Sequence, residues 1–170
     1  MILNRALGIG MAVLFLFAGS THAIAENAKC RKPISGVDKI ILDVNTDGLM
    51  LIAAEVSGNV REAVKVTTLE SLEAKLNDKF KDEVKSTLIT ITRNRECSER
   101  AVIIEGVIPY IQYDRANYTG ELTGRIIDCK TKSVLATKKL KGSNRNFFDT
   151  PKELGEDLGK WAYRELTDCK

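Results

Sequence analysis

The sequence predicts an α+β domain: a mainly antiparallel sheet with two helices packed on one face, braced by two disulfides. Three observations predict it. β-Branched runs recur at 37–44, 87–92, 101–108 and 120–141, while 59–80 and 150–166 repeat apolar residues at helical spacing. The four cysteines, Cys30, Cys97, Cys129 and Cys169, lie far apart rather than in close pairs, which suits disulfides in an exported chain better than a four-thiolate metal site. A chain of 170 residues, 29% charged and 44% hydrophobic, fits one globular domain and excludes disordered, collagen-like and multi-span classes.

The chain opens like an export signal. Arg5 supplies a positive start, Ala6 to Ala18 an apolar run, and Ala23-Ile24-Ala25 a small-residue cleavage site. The run falls short of the roughly 20 apolar residues that cross a bilayer. The expectation is therefore residues 1–25 as signal peptide and 26–170 as a single α+β domain, periplasmic or secreted, with no transmembrane segment after cleavage.

The elements follow in order. Val37 to Val44 is a strand running into the turn Asn45-Thr46-Asp47-Gly48, and Leu49 to Val56 returns as a second strand. From Asn59 to about Phe80, Val60, Val64, Leu69, Leu72, Leu76 and Phe80 approximate one helix face, opposite Glu70, Glu73, Lys75 and Lys79. Thr87 to Thr92 alternates as a half-buried strand, and Ala101 to Ile108 is a continuous one stopped by Pro109. Gly120 to Cys129 and Ser133 to Lys141 flank Lys130-Thr131-Lys132 as a hairpin. Thr150-Pro151-Lys152-Glu153 reads as a capping box. Leu154, Leu158, Trp161, Ala162 and Leu166 then line a closing helix, where Gly155 and Gly159 permit close packing on the sheet. Tracing these directions pairs Cys129 with Cys169 and Cys30 with Cys97.

This order of elements, with the turn Asp128 to Val134 and the capped terminal helix, resembles a group of small bacterial envelope domains. Among them are the periplasmic modules of curli-secretion lipoproteins and penicillin-binding-protein activators. The resemblance implies an accessory role in the envelope and carries over no functional residue. No lipid-attachment cysteine closes the apolar run here, a departure from the lipoprotein members.

Chemistry is narrowed mainly by what is missing. The one histidine, His22, lies in the signal, so Ser-His-Asp and Cys-His catalysis and histidine-bearing zinc sites are excluded from the mature domain. There is no phosphate-binding glycine loop and no nucleophile elbow, and a net charge of +3 is too balanced to argue for nucleic acid. No catalytic residue, cofactor or metal is assigned. Asp43 to Gly48 approaches a calcium loop, but Ala54 stands where the closing glutamate belongs, and a strand-end turn accounts for it.

Two surfaces remain as candidates for an envelope partner or an anionic envelope ligand. Lys130, Lys132, Lys138, Lys139, Lys141 and Arg145 form a stretch free of acidic residues, which is either a docking stripe or a lysine-guarded sheet edge. Tyr110, Tyr113 and Tyr118 stand beside Arg115, a composition suited to a contact hot spot or to rim packing. Glu105, Asp114, Glu121 and Asp128 fall on or near neighbouring strands, so a carboxylate-dependent hydrolase is one alternative. An inhibitor presenting a disulfide-braced loop is another. The leading reading is a non-enzymatic, exported binding module.

Overall fold

The computed structural model describes residues 36–51 and 59–167. Their elements are β1 (Lys39–Asn45), β2 (Met50–Leu51), α1 (Val60–Lys79), α2 (Lys81–Lys85), β3 (Thr90–Thr92), β4 (Ala101–Asp114), β5 (Asn117–Asp128), β6 (Val134–Asn144) and α3 (Asp149–Thr167). The α+β class holds, but the sheet is mixed rather than mainly antiparallel. Its order is β3-β1-β4-β5-β6. β1 runs parallel to both β3 and β4, because α1 carries the chain back across one face before β3 begins, and β4, β5 and β6 form an antiparallel meander.

The expected return strand does not return. Met50 and Leu51 continue in the direction of β1 and pair, still parallel, with Tyr110 and Ile111 farther along β4. The turn at 46–49 thus leaves a gap between β1 and β2 that faces Ile108 and Pro109. Pro109 lacks a backbone N–H, and here it falls where β4 has no partner on that side and where its register with β5 shifts. A strand expected to stop at Pro109 therefore continues to Asp114, 14 residues in all.

The core lies between the sheet and the two long helices. Alternate strand residues (Ile40, Leu42, Val44, Ile104, Leu122 and Ile126) meet Val64, Leu69, Leu72 and Leu76 of α1 and Leu154, Leu158, Trp161 and Leu166 of α3. A short third helix, α2, adds one turn beyond Phe80 and buries no residue. The two α3 glycines face α1, not the sheet. A Cβ on Gly155 would stand 2.4 Å from the Thr68 carbonyl oxygen, and one on Gly159 would stand 2.9 Å from Lys75 Cβ. The sheet is thinned to match, since a Cβ on Gly124 would stand 2.6 Å from Leu158 Cδ1.

The cap of α3 also differs from its sequence signature. Thr150 is buried, and its hydroxyl donates to the Tyr118 carbonyl at 2.8 Å. Glu153 Oε2 instead accepts from the Ser143 backbone N–H at 3.0 Å and from Asn144 Nδ2 at 2.6 Å. Both residues that resembled a capping box thus tie the helix to the sheet, because the preceding loop is short and α3 begins at Asp149, two residues before Pro151.

The expected disulfide pairing is overturned. Cys97 bonds Cys129, with Cα atoms 5.6 Å apart. The register explains it: Val102 pairs with Asp128, so the residues just before β4 and just after β5 close the open end of one hairpin. Cys30 and Cys169, and the proposed signal 1–25, lie outside the described residues, so one disulfide is seen rather than two. Segment 93–100 crosses the face opposite the helices and is tied down along its length. Arg95 pairs with Asp43, Lys39 Nζ donates to the Glu96 carbonyl at 2.7 Å, and Lys130 pairs with Glu99 at 2.8 Å. Ile41, Ala101 and Cys129 are buried on this face, with Ile103 against them.

Two outcomes test this architecture. Non-reduced peptide mapping of the oxidised protein yields a Cys97–Cys129 crosslinked peptide, and a Cys129–Cys169 peptide would overturn the hairpin closure. Gly155→Ala lowers the urea-derived stability by about 1–3 kcal/mol through overpacking on α1, despite alanine's helix preference of about 1 kcal/mol; an unchanged midpoint would place Gly155 away from α1.

Candidate binding surface

Every sequence-selected tyrosine lies on the β4–β5 hairpin, but the structure divides them. Tyr113 pairs with Tyr118 across the hairpin, next to a turn in which Arg115 and Ala116 hold positive φ of 53° and 121°. Their rings stand 4.9 Å apart, centroid to centroid. Tyr118 meets Phe147 at 5.4 Å, and Phe147 meets Phe148 at 5.1 Å, both edge-on. The result is a continuous ridge of four aromatic rings at one end of the sheet, two of its three contacts in the edge-to-face geometry such rings prefer and the tyrosine pair tilted at 52°. Tyr110 is not in it. It pairs with Glu121 and Met50 lower on β4.

The ridge is anchored at its centre and open at its ends. Tyr118 and Phe147 are half-buried against the core, whereas Tyr113 is 53% and Phe148 49% exposed. Arg115 projects from the hairpin tip with its side chain 94% exposed, near Asp114, and Arg145 is exposed at the start of the loop that carries the two phenylalanines. Sequence reading found Tyr113, Tyr118, Arg115 and Arg145 but missed Phe147 and Phe148. The available signal was the Phe-Phe pair itself, standing in a polar connection between a basic strand and a helix start.

The basic residues do not make one patch. Lys130 and Lys132 occupy the β5–β6 turn, where Lys132 has φ of 60° and its Nζ lies 3.4 Å from Cys97 Sγ. Lys138, Lys139 and Lys141 are exposed on β6, the last strand of the sheet, and Arg145 follows at the ridge end. Lys139 pairs with Glu121 at 3.7 Å.

The carboxylates considered for hydrolysis are each engaged elsewhere. Glu105 pairs with Arg125 at 3.3 Å, Glu121 with Lys139, and Asp114 lies against Arg115. Asp43 of the calcium-like turn faces Arg95, and Asn45 Oδ1 accepts from the Asp47 backbone N–H at 2.8 Å, so these oxygens do not converge. Among the described residues no group of three or more metal-ligating side chains forms. A hollow of about 850 Å³ lies between the β1–β2 turn and the start of α1, bordered by Thr46, Asp47, Met50, Asn59 and Arg61. Its border includes Leu51 and Asn59, the two ends of an interruption in the described residues, and it is not assigned as a site.

No family pattern and no curated protein matches the chain. Solved structures share its general shape. A PelC dodecamer from Paraburkholderia phytofirmans is 10% identical, with 75% of this chain and 88% of that chain covered and a TM-score of 0.47. A hypothetical protein from Chlamydia trachomatis is 10% identical over 78% and 99%, at 0.45. A protein of unknown function from Xanthomonas campestris is 12% identical over 78% and 90%, at 0.42. At this similarity no role passes from them to this chain. Among the described residues no helix is long and apolar enough to cross a membrane.

Asp128, the fourth of those carboxylates, anchors the Lys130–Lys132 turn. It accepts from the Thr131 backbone N–H at 2.7 Å and the Thr131 hydroxyl at 2.9 Å, and these bonds hold its carboxyl below the usual value of 3.8. A depressed folded pKa adds stability above the unfolded value and loses it as pH falls through the folded one. Asp128→Ala therefore lowers Tm at neutral pH, and the gap from wild type narrows below about pH 4. A gap independent of pH would remove the carboxylate from that role.

Proposed function

We propose that this chain is an exported, non-enzymatic module of the bacterial envelope that holds a protein partner through the ridge Tyr113–Tyr118–Phe147–Phe148 and its flanking arginines. The observation that carries the reading is the exposure pattern. Two rings half-buried at the base pre-order two rings open to solvent, so little side-chain freedom is lost on contact. Aromatic residues and arginine are also the types that dominate binding hot spots. A disulfide on an open sheet face suits an oxidising compartment, in line with the export signal read at 1–25. The paired carboxylates give the hydrolase alternative no free acid–base couple. The disulfide-braced segment 93–100 lies bonded along the sheet, whereas an inhibitory loop must project.

A photo-crosslinking residue placed at Phe148, with Lys85 on α2 as the control position, tests this in cells exporting the protein. The expected result is one discrete adduct from position 148, none from 85, on a chain that begins at Glu26. The adduct disappears with Tyr113→Ala and Arg115→Ala while Tm is unchanged. Equal labelling from both positions, no adduct from 148, or an adduct indifferent to the two substitutions would overturn the reading.

A further inference from the structure

Among the described residues β6 ends the sheet, and none of them pairs with its outer backbone as a strand. From Ala136 to Asn144 its register with β5 is unbroken, so alternate residues point their N–H and C=O groups away from β5. Ser143 fixes the phase. Its N–H is taken by Glu153 of α3 and not by β5, which makes Thr137, Lys139 and Lys141 the other outward-facing residues of the regular stretch. No proline interrupts the strand, and Val134 and Leu135 are 54% and 58% exposed at its start. A regular edge of this length is a template for another strand.

The charges on the edge select what may pair with it. A second copy added antiparallel would bring Lys138, Lys139 and Lys141 against their own counterparts, and like charges set opposite each other are unfavourable. An acidic segment meets the reverse situation. Lys138 and Lys141 hold no carboxylate within ion-pair reach among the described residues, and Lys139 meets only Glu121 of β5, at 3.7 Å. The protein already shows the mode at one point, where the Glu153 carboxylate sits on an outward N–H at the end of the edge. We infer that the β6 edge is a strand-addition site for an extended, acidic protein segment. Its main chain bonds Thr137, Lys139 and Lys141 while carboxylates on alternate residues meet Lys139 and Lys141. This site goes beyond the aromatic ridge and does not depend on it.

The probe is a blocked peptide of about ten residues alternating glutamate and valine, the length of a long strand, with its lysine–valine counterpart as control. On addition of the acidic peptide, hydrogen exchange at the Thr137, Lys139 and Lys141 amides slows at least about tenfold. Exchange at Ala136, Lys138 and Leu140, already bonded to β5, does not change. Thr137→Pro removes one outward donor at an edge position that tolerates proline and weakens binding by about tenfold or more. Lys139→Glu with Lys141→Glu transfers binding to the lysine–valine peptide. Phe148→Ala leaves all of this intact, so failure here and failure of the ridge are separable. Three results would overturn the inference: no binding of the acidic peptide, protection without the alternating pattern, or undiminished binding by folded Thr137→Pro, which would mean attraction by surface charge alone. If Thr137→Pro does not fold, the alternating exchange pattern in the wild type decides.

Discussion

Helix α3 lies closer to α1 than any side chain at Gly155 or Gly159 would permit, and the rest of the structure is arranged around that contact. On one side Gly155 faces the Thr68 carbonyl; on the other, Leu158 and Trp161 enter space left open by Gly124. Thr68 serves the same end, being buried with its hydroxyl bonded back to the Val64 carbonyl at 2.8 Å, so no polar group faces the contact unpaired. Glycine costs a helix about 1 kcal/mol at each position. That cost is offset by seating a 19-residue helix between a second helix and the sheet. The seat then fixes the start of α3 against β5 and β6 through Thr150 and Glu153. Phe147 is placed where it meets Tyr118, with Phe148 against it, because the helix beyond them cannot shift.

The sequence made the helices and the last hairpin legible, because their apolar spacing and turn residues report the local backbone directly. α1 begins within a residue of its expected start, and β5 and β6 flank the expected turn. The topology was not legible. The strand after Asn45-Thr46-Asp47-Gly48 looks like a hairpin return, since Asn and Gly favour tight turns. Whether it returns or continues depends on β4, which arrives some fifty residues later. Pro109 misleads for the same reason: a proline stops a strand only where its missing N–H would face a partner strand, and the gap between β1 and β2 leaves none on that side. The disulfide pairing fails with the topology. Element directions with a returning 49–56 strand place all four cysteines at one pole without choosing among them, whereas the β4–β5 register sets Cys97 against Cys129.

The candidate surfaces show the same division. Tyr113, Tyr118 and Arg115 stood out because they are close in sequence on one hairpin, and the basic stretch stood out because it lacks acids. Phe147 and Phe148 join the tyrosines only through the return of β6 beside β5, a contact between residues about thirty apart that composition does not announce. Conversely, Tyr110 shares the composition and the same unbroken register stretch as Tyr113, but it lies three residues away and so points to the opposite face of the strand. Side-chain phase decides membership in a strand-borne site, and an odd separation along the strand is enough to exclude a residue.

The two faces of the sheet are stabilised by different means, and this separates folding from contact. The helix face is dry and closely packed, so any added atom is felt. The opposite face carries Asp43–Arg95, Glu105–Arg125 and Glu121–Lys139 as partly exposed pairs, each worth little in water. Burial there comes instead from segment 93–100, held down over Ile41 and Ala101 by its disulfide and main-chain bonds. The consequence is a domain whose stability resides in the glycine-spaced layer and the strapped corner, while the exposed rings of Tyr113 and Phe148 and the outward lysines of β6 lie outside both. Those side chains are free to be shaped by a partner, since none of them makes the seat of α3 or the Cys97–Cys129 closure.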